Sequence, residues 1–234
     1  MRVPAEVNAD IERLLDKLNV DYDPEMVPVA AEEYSTIDSS FDNVEEKVKR
    51  DGGQMHYGWN IMTNGYLIEA EYYAVWENNE GTLVDVTPNK PGAAEIMFVS
   101  DDTFARNKMV AIPNVRINIT DSKLVDDYIL LTETFDTILG LTMYIEDDKP
   151  WLPEPVINIV RTLDEYRKGV EQLYLHDGKH NGPCHCGANR KYNVCHGRGL
   201  KLLTEDIVKR AREMVKMGPE AFRQEEENTT EETA

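Results

Sequence analysis

Cysteine is scarce: three residues in 234, all of them between Cys184 and Cys195. That excludes the disulfide framework of a small secreted fold, and it leaves no thiol elsewhere to act as a nucleophile. No apolar run approaches the roughly 18 residues that signal a membrane-spanning helix. The opening Met1–Asn8 lacks the apolar stretch of a secretion signal. Basic residues are outnumbered, 25 Lys and Arg against 44 Asp and Glu, for a net charge of −19. Such a surface favours solubility and disfavours direct binding to DNA or to an anionic membrane. The sequence also has no G-x-x-x-x-G-K-[ST] loop, no G-x-G-x-x-G turn, no G-x-S-x-G elbow and no H-E-x-x-H helix. Free thiols without a disulfide pattern lead us to expect a reducing, cytoplasmic setting.

What is present is enough apolar sequence, 41%, for a real core. The pattern predicts an α+β fold with an antiparallel sheet. Val7, Ile11, Leu14, Leu15 and Leu18 repeat at helical spacing over 6–18, and a second helix is expected over about 39–51, ended by Gly52-Gly53. Residues 20–38 read as irregular. Strands are expected at 54–62, 66–76, 83–86, 95–100 and 115–119, with Asn64-Gly65 and Asn78 to Gly81 as turns. The segment 100–114 is too mixed to assign. Helices follow over 121–139 and 156–175, separated by the stiff connector Trp151 to Pro155. We therefore expect a body over 1–177, a small metal knuckle over 178–200, a basic amphipathic helix over 201–222 with Thr204 as candidate cap, and a disordered acidic tail over 223–234.

The three cysteines and the adjoining histidine have the spacing C-x-C-x8-C-H: Cys184, Cys186, Cys195 and His196. Three thiolates and one imidazole suit a closed, four-coordinate zinc site, one ion with a structural role, because no position is left for water. Gly187 permits the tight bend after the C-x-C pair. The spacing is not the C-x-x-C of thioredoxin-like redox sites. No Asp or Glu occurs between Gly178 and Thr204, whereas Lys179, Arg190, Lys191, Arg198 and Lys201 do. These cations either form a docking face or compensate the metal thiolates.

The stretch Lys179-His180-Asn181-Gly182-Pro183-Cys184-His185-Cys186-Gly187, then Lys191-Tyr192, then Cys195-His196-Gly197 resembles the SEC-C motif, which ends the bacterial protein-export motor ATPase and is appended to many other bacterial proteins. It covers about 20 of the 234 residues. The resemblance implies Cys184, Cys186, Cys195 and His196 as zinc ligands and a docking role toward a protein or ribonucleoprotein, with Lys179, Arg190, Lys191, Tyr192 and Arg198 as partner-binding residues. The motif usually carries proline between its first two cysteines. Here His185 stands there, as a competing ligand or a titratable neighbour.

A second resemblance lies in the body. Tyr57-Gly58-Trp59, Ile68 to Trp76 and Leu83 to Pro88 have the cadence of a transglutaminase-like or papain-like core, which sets a histidine and an aspartate on neighbouring strands beside a nucleophile at a helix start. Tyr73 stands where that histidine belongs, and Ser40 near the helix start replaces cysteine; Asp85 is retained. The candidate catalytic residues are thus Ser40, His56 and Asp85, with packing roles for Tyr73, Trp76 and Asp85 as the simpler alternative. The adjacent pairs Asp101-Asp102 and Asp147-Asp148 read as solvated loop carboxylates. Three functions follow as expectations: a zinc-dependent adapter, a hydrolase or transferase on a degenerate core, and an acidic mimic that occupies a nucleic-acid-binding protein.

Overall fold

A computed structural model describes residues 1–89, 92–103, 112–145 and 149–231. The chain divides into two compact units, Met1–Thr120 and Asp121–Ala234. The division expected at 177 falls inside the second unit, because the helices on both sides of that point share one apolar core with the knuckle.

Unit 1 opens with helix α1 (Ala9–Leu18), which begins where Asn8 Oδ1 accepts hydrogen bonds from the Asp10 and Ile11 N–H groups at 3.0 and 3.1 Å. A side-chain acceptor at this position satisfies donors that the first turn leaves unpaired. The helix stops at Asn19, which takes the left-handed conformation at φ 56°. Helix α2 (Ser40–Asp51) follows. The strands are β1 (Glu25–Pro28), β2 (Gln54–Thr63), β3 (Leu67–Glu77), β4 (Leu83–Val84), β5 (Glu95–Ser100) and β6 (Val115–Asn118). Their order is β1-β5-β2-β3-β4, with β6 also on β3, and these strands pair antiparallel. The α+β class is therefore the one the sequence pattern predicts. Strand β1 lies in the stretch expected to be irregular. Only Val27 of its four residues is buried, so it carries almost no two-residue periodicity to read.

Past β1 the chain meets the far edge of the sheet. The Asp85 N–H donates to Pro28 O at 2.9 Å, and the Ala30 N–H donates to Asp85 O at 2.8 Å. These bonds join the first and last strands, so the sheet curls on itself. Alternation then sorts the side chains into two sets. Trp59, Ile61, Ala70, Tyr72, Met97 and Val99 face outward against Ile11 and Leu14 of α1. Ala74 and Val86 meet Val44 of α2. Val27, Tyr73, Val75, Ile96 and Phe98 face inward. Gly58 sits on that inner face, where a Cβ would lie 2.2 Å from Val99 O and 2.4 Å from Phe98 Cζ.

Unit 2 is built on helices α3 (Lys123–Leu139), α4 (Glu154–Leu175) and α5 (Leu200–Glu231). Ser122 caps α3 through a 3.3 Å bond from the Leu124 N–H. Leu124, Leu131 and Ile138 of α3 and Val156, Leu163 and Val170 of α4 are all buried at seven-residue intervals, the repeat that keeps one stripe of each helix against a neighbour. Between the two helices a short hairpin, β7 (Met143–Ile145) and β8 (Lys149–Trp151), replaces part of the expected connector. Asp147 and Asp148 lie outside the described residues, as do 104–111 of the unassigned segment. In α5, Thr204 is not a cap. It is buried one turn inside the helix, and its hydroxyl donates to Lys201 O at 2.9 Å. The helix breaks at Gly218 (φ 77°), just before Pro219. The backbone is helical again to Glu231, across most of the stretch for which composition predicts disorder.

Candidate functional site

The knuckle starts with a narrow turn. Pro183 bridges Lys191, the Cys184 N–H donates to Arg190 O at 2.9 Å, and the Tyr192 N–H donates to Gly182 O at 2.8 Å. Gly187 (φ 72°) and Asn189 (φ 51°) turn the chain within this loop, both in the left-handed region that a β-carbon disfavours. A short 3-10 turn, Tyr192–Val194, then brings the second ligand pair back: the Cys195 and Gly197 N–H groups donate to Tyr192 O at 2.9 and 2.8 Å.

The result is one cluster. Cys184, Cys186, Cys195 and His196 each offer a ligand atom, and these atoms all lie within 4.8 Å of one another, an arrangement that could hold a metal ion. The spacing tests the fit. With Zn–S about 2.3 Å and Zn–N about 2.05 Å at tetrahedral angles, sulfur atoms should stand about 3.8 Å apart and sulfur about 3.6 Å from nitrogen. Cys186 Sγ lies 3.7 Å from Cys195 Sγ, and His196 Nδ1 lies 3.2 Å from Cys184 Sγ and 3.5 Å from Cys195 Sγ. The donor set and these three edges therefore fit a soft, four-coordinate ion, with Nδ1 as the nitrogen nearest the sulfurs.

Surrounding groups hold these donors in place. The Tyr166 hydroxyl of α4 donates to the His196 carbonyl, and the two rings meet edge to face at 5.1 Å. Arg190 Nη2 lies 3.5 Å from Cys195 Sγ, where a cation offsets thiolate charge. The Ala188 N–H leads the influences that hold the Cys186 thiol below its ordinary range. His180 Nε2 is 3.4 Å from Asp127 of α3. Burial pushes the Tyr166 and Tyr192 phenols well above their ordinary range, so both remain protonated.

His185 packs beside the cluster, its ring 4.8 Å from that of His196 and 5.9 Å from that of Tyr166. It is not among the grouped ligands. Gly169 makes room for it, since a Cβ there would come within 2.7 Å of His185 Nδ1. Sequence reading missed Tyr166 and Gly169. Both sit in an ordinary amphipathic helix, and nothing local marks them as partners of a loop tens of residues later.

The cations Lys179, Arg190, Lys191, Arg198 and Lys201 are all exposed. Tyr192 corrects the expectation for a docking face. Its side chain is 0% exposed and belongs to the core with Leu124, Val170 and Leu200. Gly197 packs on that ring so tightly that a Cβ would lie 2.5 Å from Tyr192 Cε1. The aromatic of the Lys-Tyr pair is thus an anchor for the knuckle.

The candidate catalytic residues of unit 1 do not assemble as expected. The Ser40 hydroxyl accepts from the Ala74 N–H at 3.4 Å. Asp85 is 0% exposed, accepts from the Thr87 N–H at 2.9 Å and from the Tyr73 hydroxyl at 3.3 Å, and burial pushes its carboxyl up to about 6. His56 reaches neither residue. Its Nδ1 lies 3.1 Å from Glu77 Oε2 and its Nε2 lies 2.8 Å from Ser100 Oγ. Asp101, read as a solvated carboxylate, is buried and accepts from Trp59 Nε1 at 2.7 Å. Comparisons with protein-family models, with curated proteins and with solved structures found no match for this chain.

Proposed function

We propose that this chain is a zinc-dependent adapter, in which one structural ion held by Cys184, Cys186, Cys195 and His196 shapes residues 178–200 into a docking element for a protein or ribonucleoprotein partner. The observation that carries the reading is the Cys3His cluster, whose ligand atoms all lie within 4.8 Å of one another, three of the pairs at 3.2, 3.5 and 3.7 Å. Four protein donors fill the shell of such an ion, so it has a structural role and does not activate water. When bound, the ion supplies cross-linking: it ties the C-x-C turn to the Cys195-His196 pair.

The chain's own residues do the rest. Tyr192 anchors the loop in the helical core, Tyr166 holds the His196 backbone, and the exposed Lys179, Arg190, Lys191 and Arg198 present positive charge on a chain of net −19. Such an island suits an acidic protein face or exposed RNA phosphates. The likeness of the loop to the SEC-C motif supports the same role.

The test is partner recovery with wild type, with Cys195→Ser and with the double charge reversal Lys191→Glu, Arg198→Glu. The expected outcome is loss of the partner in both variants, with zinc retained in the charge reversal. Equal recovery from all three would remove the docking role.

A further inference from the structure

The inward-facing side of the sheet in unit 1 carries a second constellation, independent of the zinc reading. Strands β5, β2 and β3 lie side by side, with Ser100 opposite Gly58 and Gln54 opposite Glu77. This register puts Ser100, His56 and Glu77 on one face. Ser100 Oγ is 2.8 Å from His56 Nε2, and His56 Nδ1 is 3.1 Å from Glu77 Oε2. Gln54 Nε2 donates to the same Glu77 oxygen at 3.0 Å, which holds the carboxylate in place. A hydroxyl on one imidazole nitrogen and a carboxylate on the other is the connectivity that activates a serine.

We propose that Ser100, His56 and Glu77 form a nucleophile, base and orienting acid for acyl transfer from small carboxylic esters to water. The direction of the hydrogen bonds supports the assignment. Gln54 first, then His56, holds the Glu77 carboxyl below its ordinary range, so it is ionised and accepts the Nδ1 proton. That tautomer leaves the Nε2 lone pair facing the Ser100 hydroxyl. The His56 and Glu77 side chains keep 23% and 22% of their surface, whereas Ser100, which ends its strand, keeps 9%, so the group opens to solvent on its imidazole and carboxylate side.

In the first step Ser100 Oγ bonds to the ester carbonyl carbon while His56 Nε2 takes the hydroxyl proton. The bond from that carbon to the alcohol oxygen then breaks, and the alcohol leaves with the proton from His56. Water repeats the sequence on the acyl-serine: His56 takes a water proton, the acid departs, and Ser100 recovers its hydrogen. Ester and water become acid and alcohol, with no change of oxidation state.

The experiment uses the full chain and a fluorophosphonate ester, with the adduct located by peptide mass. The expected result is stoichiometric label on Ser100, label absent in Ser100→Ala, and label formation slower by roughly a hundredfold or more in His56→Gln. Glu77→Gln, a positioning change, should slow labelling and move the imidazole nitrogen resonances of His56 toward the other tautomer. Absence of label on wild-type Ser100 overturns the proposal without any variant, and so does equal labelling in folded His56→Gln. Chelating zinc tests the adapter and not this triad, so the two readings fail separately.

Discussion

In unit 1 the polar side chains of interest hang from three neighbouring strands, and residues as far apart as His56 and Ser100 meet only because the register aligns them. In unit 2 the donors come from one short loop, Cys184 to His196, and the fold has to supply the anchor. The two units thus hold their sites by opposite means. Unit 1 has a continuous hydrogen-bonded ladder that fixes side chains with no added cross-link. Unit 2 folds a glycine-rich loop that has little apolar content of its own beyond Tyr192 and the cysteines. Such a loop gains order from a metal and from burial of its single large aromatic. Each unit should therefore be fragile at its own kind of support.

The largest effect should come from the metal. Structural zinc contributes on the order of 10 kcal/mol of binding energy that is also folding energy. Stripping it with a strong chelator, or making Cys195→Ser, should collapse amide protection across 123–215 and leave 54–100 protected. Hydrogen exchange read by mass spectrometry checks this. Equal loss in both units would break the contrast. Next is Tyr192→Ala, which empties a fully buried ring site and should cost about 3–5 kcal/mol in denaturant unfolding of unit 2. A cost below about 1 kcal/mol would mean that the loop is held by the metal alone.

In unit 1 the buried charge to test is Asp85. Its folded carboxyl titrates near 6, above the ordinary value of about 3.9. Between those values the folded chain keeps a proton that the unfolded chain has lost. Its contribution to stability is therefore present at low pH and falls as pH rises from about 4 to 6. Relative to Asp85→Asn, the wild type should lose up to about 1.4 kcal/mol per pH unit in that window. Parallel stability curves for the two proteins would contradict the burial account. The smallest effect is expected from Gly169→Ala. The added methyl meets the His185 ring, which can turn away at its exposed side, so about 1 kcal/mol and a displaced His185 resonance are expected.

What could be read from the chain follows the same division. The Cys3His cluster of unit 2 was legible because its donors are close in sequence and include every cysteine of the chain. Helices α3 and α4 were legible from their apolar repeat, within a few residues at each end. The anchoring role of Tyr192 was not legible, since a tyrosine beside a lysine in a basic loop looks exposed until the core of α3, α4 and α5 is seen around it. In unit 1 the long strands β2 and β3 were legible, and β1 was not. The pairing of His56 with Ser100 and Glu77 needs the order β5-β2-β3, a non-local fact that no window of sequence contains. The same ignorance of register led to Ser40 and Asp85 as its partners.

X-ray absorption at the zinc edge, on the full chain purified under reducing conditions without chelator, reads the Cys3His site itself. One zinc per chain is expected, with three sulfur neighbours near 2.3 Å and one nitrogen near 2.05 Å, falling to two sulfurs in Cys195→Ser. A chain free of zinc, or a shell dominated by oxygen, would contradict it.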